Sequence, residues 1–267
     1  MNILILGDVM GASGREAIKR NLAKIIDINK IDFTIINGEN AADDGKGITK
    51  SIAKDFFSFG VDVITSGNHI WDKHETIEFI NKEKRLLRPA NLAEGSPGNG
   101  YGIYSTKNQQ FKVGVINLMG NVFMRKSEDV FSVAGKIKEK LILKKNVDFL
   151  IVDFHGEITS EKMAMGHFFD GFSTGVYGTH THVPTADTRI LDQGTAYQTD
   201  IGMCGDYNSV IGMNKENSLK RFLKDKNALK HFPADGEATL SGIMIEGDKK
   251  TGLAKKITRI LKGGTLN

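Results

Sequence analysis

The chain has 267 residues, with 36 Lys plus Arg against 32 Asp plus Glu, for a formal net charge of +4. That length suits one large α/β domain spanning residues 1–267, able to bury roughly three quarters of the surface its unfolded form exposes. The basic residues are dispersed along helical stretches such as Lys136 to Lys145, which speaks against stable nucleic-acid binding, and the single cysteine, Cys204, excludes an intrachain disulfide and a Cys-rich zinc site and fits a reducing compartment.

At the N-terminus no basic region precedes an apolar stretch of roughly 7 to 15 residues. The short run Ile3 to Leu6 leads straight into Gly7 and Asp8 and reads as a first strand over residues 2–7. No stretch approaches the ~20 apolar residues of a membrane-spanning helix, so no membrane association and a cytoplasmic location are expected. Ser13 with Glu16 has the spacing of a capping box, and Ile18, Leu22, Ile25 and Ile26 recur at helical spacing, which predicts a helix over about 14–29. A strand follows at Asp32 to Asn37, then a helix near 49–59, a strand at Val61 to Ser66 and a helix opening near Asp72, with Glu75 as its capping partner.

The alternation continues with strands at Val113 to Leu118 and Val147 to Asp153, separated by an amphipathic helix around 129–145. Gly and Asn cluster around 91–102, a flexible surface loop able to border a pocket. Beyond Thr174 short strands at Val176 to Tyr177, Thr188 to Leu191, Ala196 to Thr199, Val210 to Met213 and Leu240 to Ile245 point to a more antiparallel half. Lys262 to Asn267 reads as a frayed tail.

Several strands end alike, in an apolar run, a nearby Gly and a residue able to bind metal. These ends are Gly7-Asp8, Gly38-Glu39-Asn40, Gly67-Asn68-His69, Asp153-Phe154-His155-Gly156-Glu157 and Gly178-Thr179-His180-Thr181-His182. The carboxyl ends of strands in α/β sheets converge on one crevice, so residues far apart in sequence can meet there. Carboxylates, amide oxygens and imidazoles without thiolates suit iron, manganese or zinc. Glu39 is a candidate bridge, since one carboxylate can give an oxygen to each of two cations held ~3.5 to 4 Å apart. After Gly178 an irregular backbone would let His180 and His182 diverge toward different metals. Taken singly, each piece has a plainer account. Asp8 could be a loop or cap carboxylate, Glu39-Asn40 a turn, Asn68-His69 a helix entry, and His155 a hydrogen-bonded core histidine. Asp153 and Glu157 are candidates to orient His155. His74, His167 and His231 read as surface or packing groups, and Phe56, Phe57, Phe59, Phe168, Phe169 and Phe172 as core.

In order, these residues resemble the calcineurin-like metallophosphoesterase superfamily from Asp8 to His182. Gly7-Asp8-Val9-Met10-Gly11, Gly38-Glu39-Asn40, Ser160-Glu161-Lys162, Gly178-Thr179-His180-Thr181-His182-Val183 and Thr199-Asp200-Ile201-Gly202-Met203 resemble its YmdB-like bacterial phosphodiesterase branch. The resemblance implies a four-layer α/β/β/α sandwich, two divalent or trivalent metal ions with iron or manganese favoured, and hydrolysis of cyclic nucleotides, notably 2′,3′-cyclic ones. It implies that Asp8, Glu39, Asn40 and His182 hold one metal, that Glu39, Asn68, His155 and His180 hold the other, and that His69 is the proton donor or transition-state stabiliser. A homo-oligomer is compatible with the chain.

Two departures from the superfamily pattern stand out: Met10 occupies a position where many members have a metal-binding His, and Glu39 replaces the usual bridging Asp. Two rival readings use the same residues. A dinucleotide-binding oxidoreductase would use Gly7, Gly11 and Gly14, but their spacing is GxxxGxxG, and Asp8 would repel a pyrophosphate. A metal-binding regulatory or scaffold protein with little turnover would need the ligands alone.

Overall fold

The computed structural model describes residues 1–266. The apolar run Asn2–Val9 forms β1, and the chain turns at once into α1, Gly11–Asn29, whose Ile18, Leu22 and Ile25 face inward at the spacing of a buried stripe. β2 (Phe33–Asn37), α2 (Lys50–Ser58), β3 (Val63–Thr65) and α3 (His74–Phe79) follow. Next come β4 (Tyr101–Ser105), β5 (Lys112–Met119), α4 (Val130–Lys138), β6 (Phe149–His155), α5 (Thr159–Phe168) and β7 (Gly175–Thr179). The last part holds β8 (Arg189–Ile190), β9 (Ala196–Gln198), β10 (Met203–Cys204), α6 (Lys215–Phe222), β11 (Leu240–Gly247) and β12 (Ala254–Lys262).

Among the described residues the strands form two six-stranded mixed sheets. One runs β12-β11-β1-β2-β3, with β10 pairing the end of β1, and the other runs β4-β5-β6-β7-β9-β8. β1, β2 and β3 are mutually parallel, as are β5, β6, β7 and β9, so their carboxyl ends lie on one side of each sheet. The pleat sends alternate residues to opposite faces. Ile3, Ile5, Phe33 and Ile35 of the first sheet pack against Val113, Val115, Phe149 and Ile151 of the second. Leu4, Leu6 and Ile36 point the other way, onto Ile18 and Leu22 of α1 and Phe56 of α2. On the far side Ile116, Leu150 and Val152 pack against Val130 and Ala134 of α4 and Met165 of α5. The layers are therefore helix, sheet, sheet, helix.

Several local expectations are corrected. Ser13 lies inside α1, which starts at Gly11 with no side-chain cap, and its hydroxyl donates to Ala234 O instead. α3 starts at His74 and is not capped by Asp72, whose carboxylate is engaged elsewhere. The helix expected to reach 145 ends at Lys138, because Asn146 Oδ1 accepts the Ile142 N–H and competes with a continuing helical ladder. Val210 and Met213 form only an isolated bridge. The later strands divide between the sheets, with β7–β9 and β1–β10 parallel and β8–β9, β1–β11 and β11–β12 antiparallel, so the expected antiparallel character holds for three of these five pairings. Phe172 is half-exposed, its ring covered by Lys138 Nζ at 3.3 Å. Lys262 closes β12, and Leu266 N–H donates to Thr239 Oγ1 at 3.3 Å, so that stretch is held and not frayed; Asn267 lies outside the described residues. No described helix is long and apolar enough to cross a membrane.

Candidate metal centre

The carboxyl ends of β1, β2, β3, β6 and β7 bring Asp8, Glu39, Asn40, Asn68, His69, His155, His180 and His182 to one place between the sheets. His155 Nε2 lies 3.0 Å from Glu39 Oε1, 3.1 Å from Asn68 Oδ1 and 3.1 Å from His180 Nδ1. Donor atoms of Glu39, His155 and His180 all fall within 4.8 Å of one another. Beside them His182 Nε2 sits 3.2 Å from Asn40 Oδ1, and Asp8 Oδ2 accepts the His180 N–H at 3.1 Å. The residues after Gly178 leave regular geometry, with φ of 98° at His180 and 67° at His182, and the two rings point to different groups of donors. Such left-handed backbone is uncommon outside Gly and is concentrated at functional sites. Gly67 is fixed by the same crowding: a Cβ there would overlap the His155 ring and the Glu39 carboxylate.

Hydrogen bonds at the outer side of each donor decide which atom faces inward. Thr179 Oγ1 donates to Asp153 Oδ1 at 2.8 Å and so accepts from His155 Nδ1 at 2.9 Å, which leaves the Nε2 lone pair pointing inward. His182 Nδ1 donates to Ile211 O at 2.8 Å, with the same result. His180 Nε2 reaches Glu157 Oε2 at 3.1 Å, which turns Nδ1 inward. Asn40 Nδ2 donates to Gly45 O at 2.9 Å, so its carbonyl oxygen faces His182. The centre is thus a set of acceptors aimed at one another, and Asp8 Oδ1, fully buried, has no hydrogen-bond partner.

Charge tells the same story. Burial pushes the Asp8 carboxyl up to about 6, against the pull of His182 and His155. For His155 burial opposes protonation, but Glu39 and Asp8 outweigh it and raise the ring to about 9. Burial and the neighbouring His155 charge push His180 down to about 3. For Glu39 burial acts upward but His155 prevails, holding it at about 2. Buried oxygen and nitrogen acceptors that draw a proton onto one imidazole while the next cannot take one have the chemistry of a cation site, and the donors present fit hard or borderline divalent ions.

His69 stands at the edge of this group. Its backbone N–H donates to Glu39 Oε2 at 3.1 Å, and its Nδ1 pairs with Asp72 Oδ2 at 2.7 Å. Asp72 Oδ1 in turn accepts from Arg125 Nη2 at 3.1 Å. Neither Asp72 nor Arg125 is marked as a site residue by sequence pattern; the i, i+3 spacing of His69 and Asp72 is a signal that a helix-cap reading conceals. Asp153 reaches His155 only through Thr179, and Glu157 faces His180, not His155. Asp200 is another buried group that pattern alone leaves without a role. It accepts from Lys162 Nζ at 2.7 Å and from Thr181 Oγ1 at 2.7 Å, clamping the loop between His180 and His182. The 91–102 loop does border a cavity, of about 580 Å³, shared with α4, but none of the converging donors lines it and Arg88 ties the loop through the carbonyls of Pro89, Ala90 and Pro97.

A family model described as YmdB-like protein matches residues 4–260. The chain belongs to the YmdB-like family. It is 46% identical to the 2′,3′-cyclic-nucleotide 2′-phosphodiesterase of Bacillus subtilis, over 98% of this chain and 97% of that protein. The crystal structure of a novel phosphatase from Mycoplasma pneumoniae has a TM-score of 0.89 at 36% identity, covering 98% of this chain and 93% of that one. A hypothetical protein from Thermus thermophilus also has a TM-score of 0.89, at 35% identity, over 99% and 100% of the two chains. Within this family member the departures from the superfamily pattern have a physical account. Met10 is buried among Gly45, Gly205 and Gly212 as core, and Asn40 presents its amide oxygen beside His182.

Proposed function

We propose that this protein is a cytoplasmic two-metal phosphodiesterase, built as one unit, that hydrolyses small phosphodiesters and acts on 2′,3′-cyclic nucleotides. The observation that carries the reading is the convergence of buried carboxylates, amide oxygens and imidazoles, with Asp8 Oδ1 left without a partner, on a chain 46% identical to an enzyme named for that substrate. Asp8, Glu39, Asn40 and His182 would hold one ion, and Glu39, Asn68, His155 and His180 the other, with Glu39 shared. Iron or manganese suits this thiolate-free set best, and zinc also fits it. When bound, the ions supply Lewis acidity, which acidifies the attacking water and neutralises charge on the phosphate oxygens.

The protein's own groups complete the reaction. Water oxygen bonds to phosphorus and releases one proton to solvent, the bond from phosphorus to one ribose oxygen breaks, and that oxygen takes a proton. His69 is placed to give it: with Nδ1 occupied by Asp72, Nε2 is the nitrogen left to exchange a proton with the leaving group. Asp72, steadied by Arg125, fixes the orientation of the ring. Turnover of 2′,3′-cyclic AMP by purified protein tests the reading; metal-loaded protein that cleaves no phosphodiester would overturn it.

The outer hydrogen bonds make a separate prediction. Thr179→Val keeps the side chain's shape but breaks the relay from Asp153 to His155 Nδ1, so metal affinity should fall about 10- to 100-fold. A Mn²⁺ titration of the variant checks this, and wild-type affinity would show that the relay does not orient His155.

A further inference from the structure

Residues 120–129, which join β5 to α4, carry an aromatic side chain, Phe123, that is exposed. The segment is pinned at both ends. Gly120 N–H donates to His155 O at 3.0 Å, and Glu161 of α5 accepts Asn121 N–H at 2.8 Å. Asn121 Nδ2 donates to Glu128 O, and its Oδ1 accepts Val130 N–H at 2.9 Å. Arg125 then reaches Asp72, the partner of His69. The loop therefore leaves the backbone of one metal-site histidine and arrives at the carboxylate that holds His69. Between these anchors lies Phe123, 86% exposed, with φ of 60°. Consecutive Cα atoms are about 3.8 Å apart, so its Cα is within about 8 Å of that of Arg125, the residue whose guanidinium reaches Asp72.

A single exposed apolar side chain is ordinary. A bulky aromatic in left-handed backbone, in a segment anchored on both sides, is not. The other left-handed residues around the centre are accounted for: His180 and His182 aim their rings at the donors, and the Ile211 carbonyl accepts from His182. Among the described residues no ring or cation contact to Phe123 is made, so its face is free to meet a ligand. The other exposed apolar side chains flanking His182, Val183 and Ile211, are aliphatic and offer no stacking face.

We propose that Phe123 is the platform on which the nucleobase of the substrate stacks while the phosphodiester lies at the metal centre. A planar base presents a π-face whatever its identity, so stacking gives affinity for nucleotides with little discrimination among bases. The inference rests on the phosphodiesterase reading above. It is tested by comparing 2′,3′-cyclic AMP with glycerol 1,2-cyclic phosphate, which has no base, on the full-length protein. In Phe123→Ala the ratio of kcat/KM for the nucleotide to that for the glycerol ester should fall about 5- to 100-fold, through KM. Phe123→Tyr should restore the ratio to within about twofold, since the stacking face is retained. An unchanged ratio in Phe123→Ala, or an equal loss on both esters, would overturn the platform role while leaving the phosphodiesterase reading intact. Wild-type protein that cleaves neither ester would overturn both.

Discussion

Glu39→Gln should lower kcat/KM for 2′,3′-cyclic AMP at least about 10³-fold and strip the protein of bound metal, because it removes the charge of the proposed bridge between the two ions. Glu39 is buried, faces His155 Nε2 at 3.0 Å and is packed against Gly67, so the isosteric amide keeps the shape while losing the carboxylate. A neutral amide cannot give an anionic oxygen to each of two cations, and the stabilisation metal ions lend to a phosphoryl transition state is worth several kcal/mol, which sets the size of the loss. Folding should survive, since the amide keeps the carboxylate's shape and its oxygen can still accept the His69 N–H. Metal analysis of the purified variant, together with its thermal midpoint, separates loss of metal from loss of structure. A folded variant with the wild-type metal content and rate would contradict the bridging role.

His69→Ala should behave differently, lowering kcat about 10²- to 10⁴-fold with metal content and KM little changed. Only the backbone N–H of residue 69 touches Glu39, and alanine retains it, so the donor set stays in place. What disappears is the proton for the leaving ribose oxygen. The loss should therefore be smaller for bis-p-nitrophenyl phosphate, whose nitrophenolate leaves without needing a proton. Equal losses on both substrates would show that His69 stabilises charge on the phosphate and does not protonate the leaving group.

The strands that carry the site were legible because each is a continuous apolar run buried on both faces and ended by a Gly and a polar donor. β1, β2, β6 and β7 all have this form. The helices were read less well at their ends. Ser13 and Asp72 have the composition of caps, but a carboxylate or hydroxyl in a three-dimensional fold goes to whichever partner reaches it, and for Asp72 that is His69 and Arg125. β12 alternates exposed Lys and Arg with half-buried aliphatic residues, the pattern of an edge strand, and its pairing partner β11 defines it more than its own sequence does. Thr179, Lys162 and Asp200 escaped for a related reason. Their role lies in hydrogen bonds between residues 19 to 38 positions apart, and no local periodicity records such contacts. Phe123 was equally silent, since only the fold shows that its loop is anchored to His155 at one end and to Asp72 at the other.

The most direct test of a two-ion phosphodiesterase is a Mn²⁺ titration of metal-stripped protein in which bound metal and the rate of 2′,3′-cyclic AMP hydrolysis are followed together. The donor arrangement predicts a rate that rises to its plateau as occupancy approaches about two ions per chain. Full activity at one ion, or turnover by the metal-free protein, would contradict it.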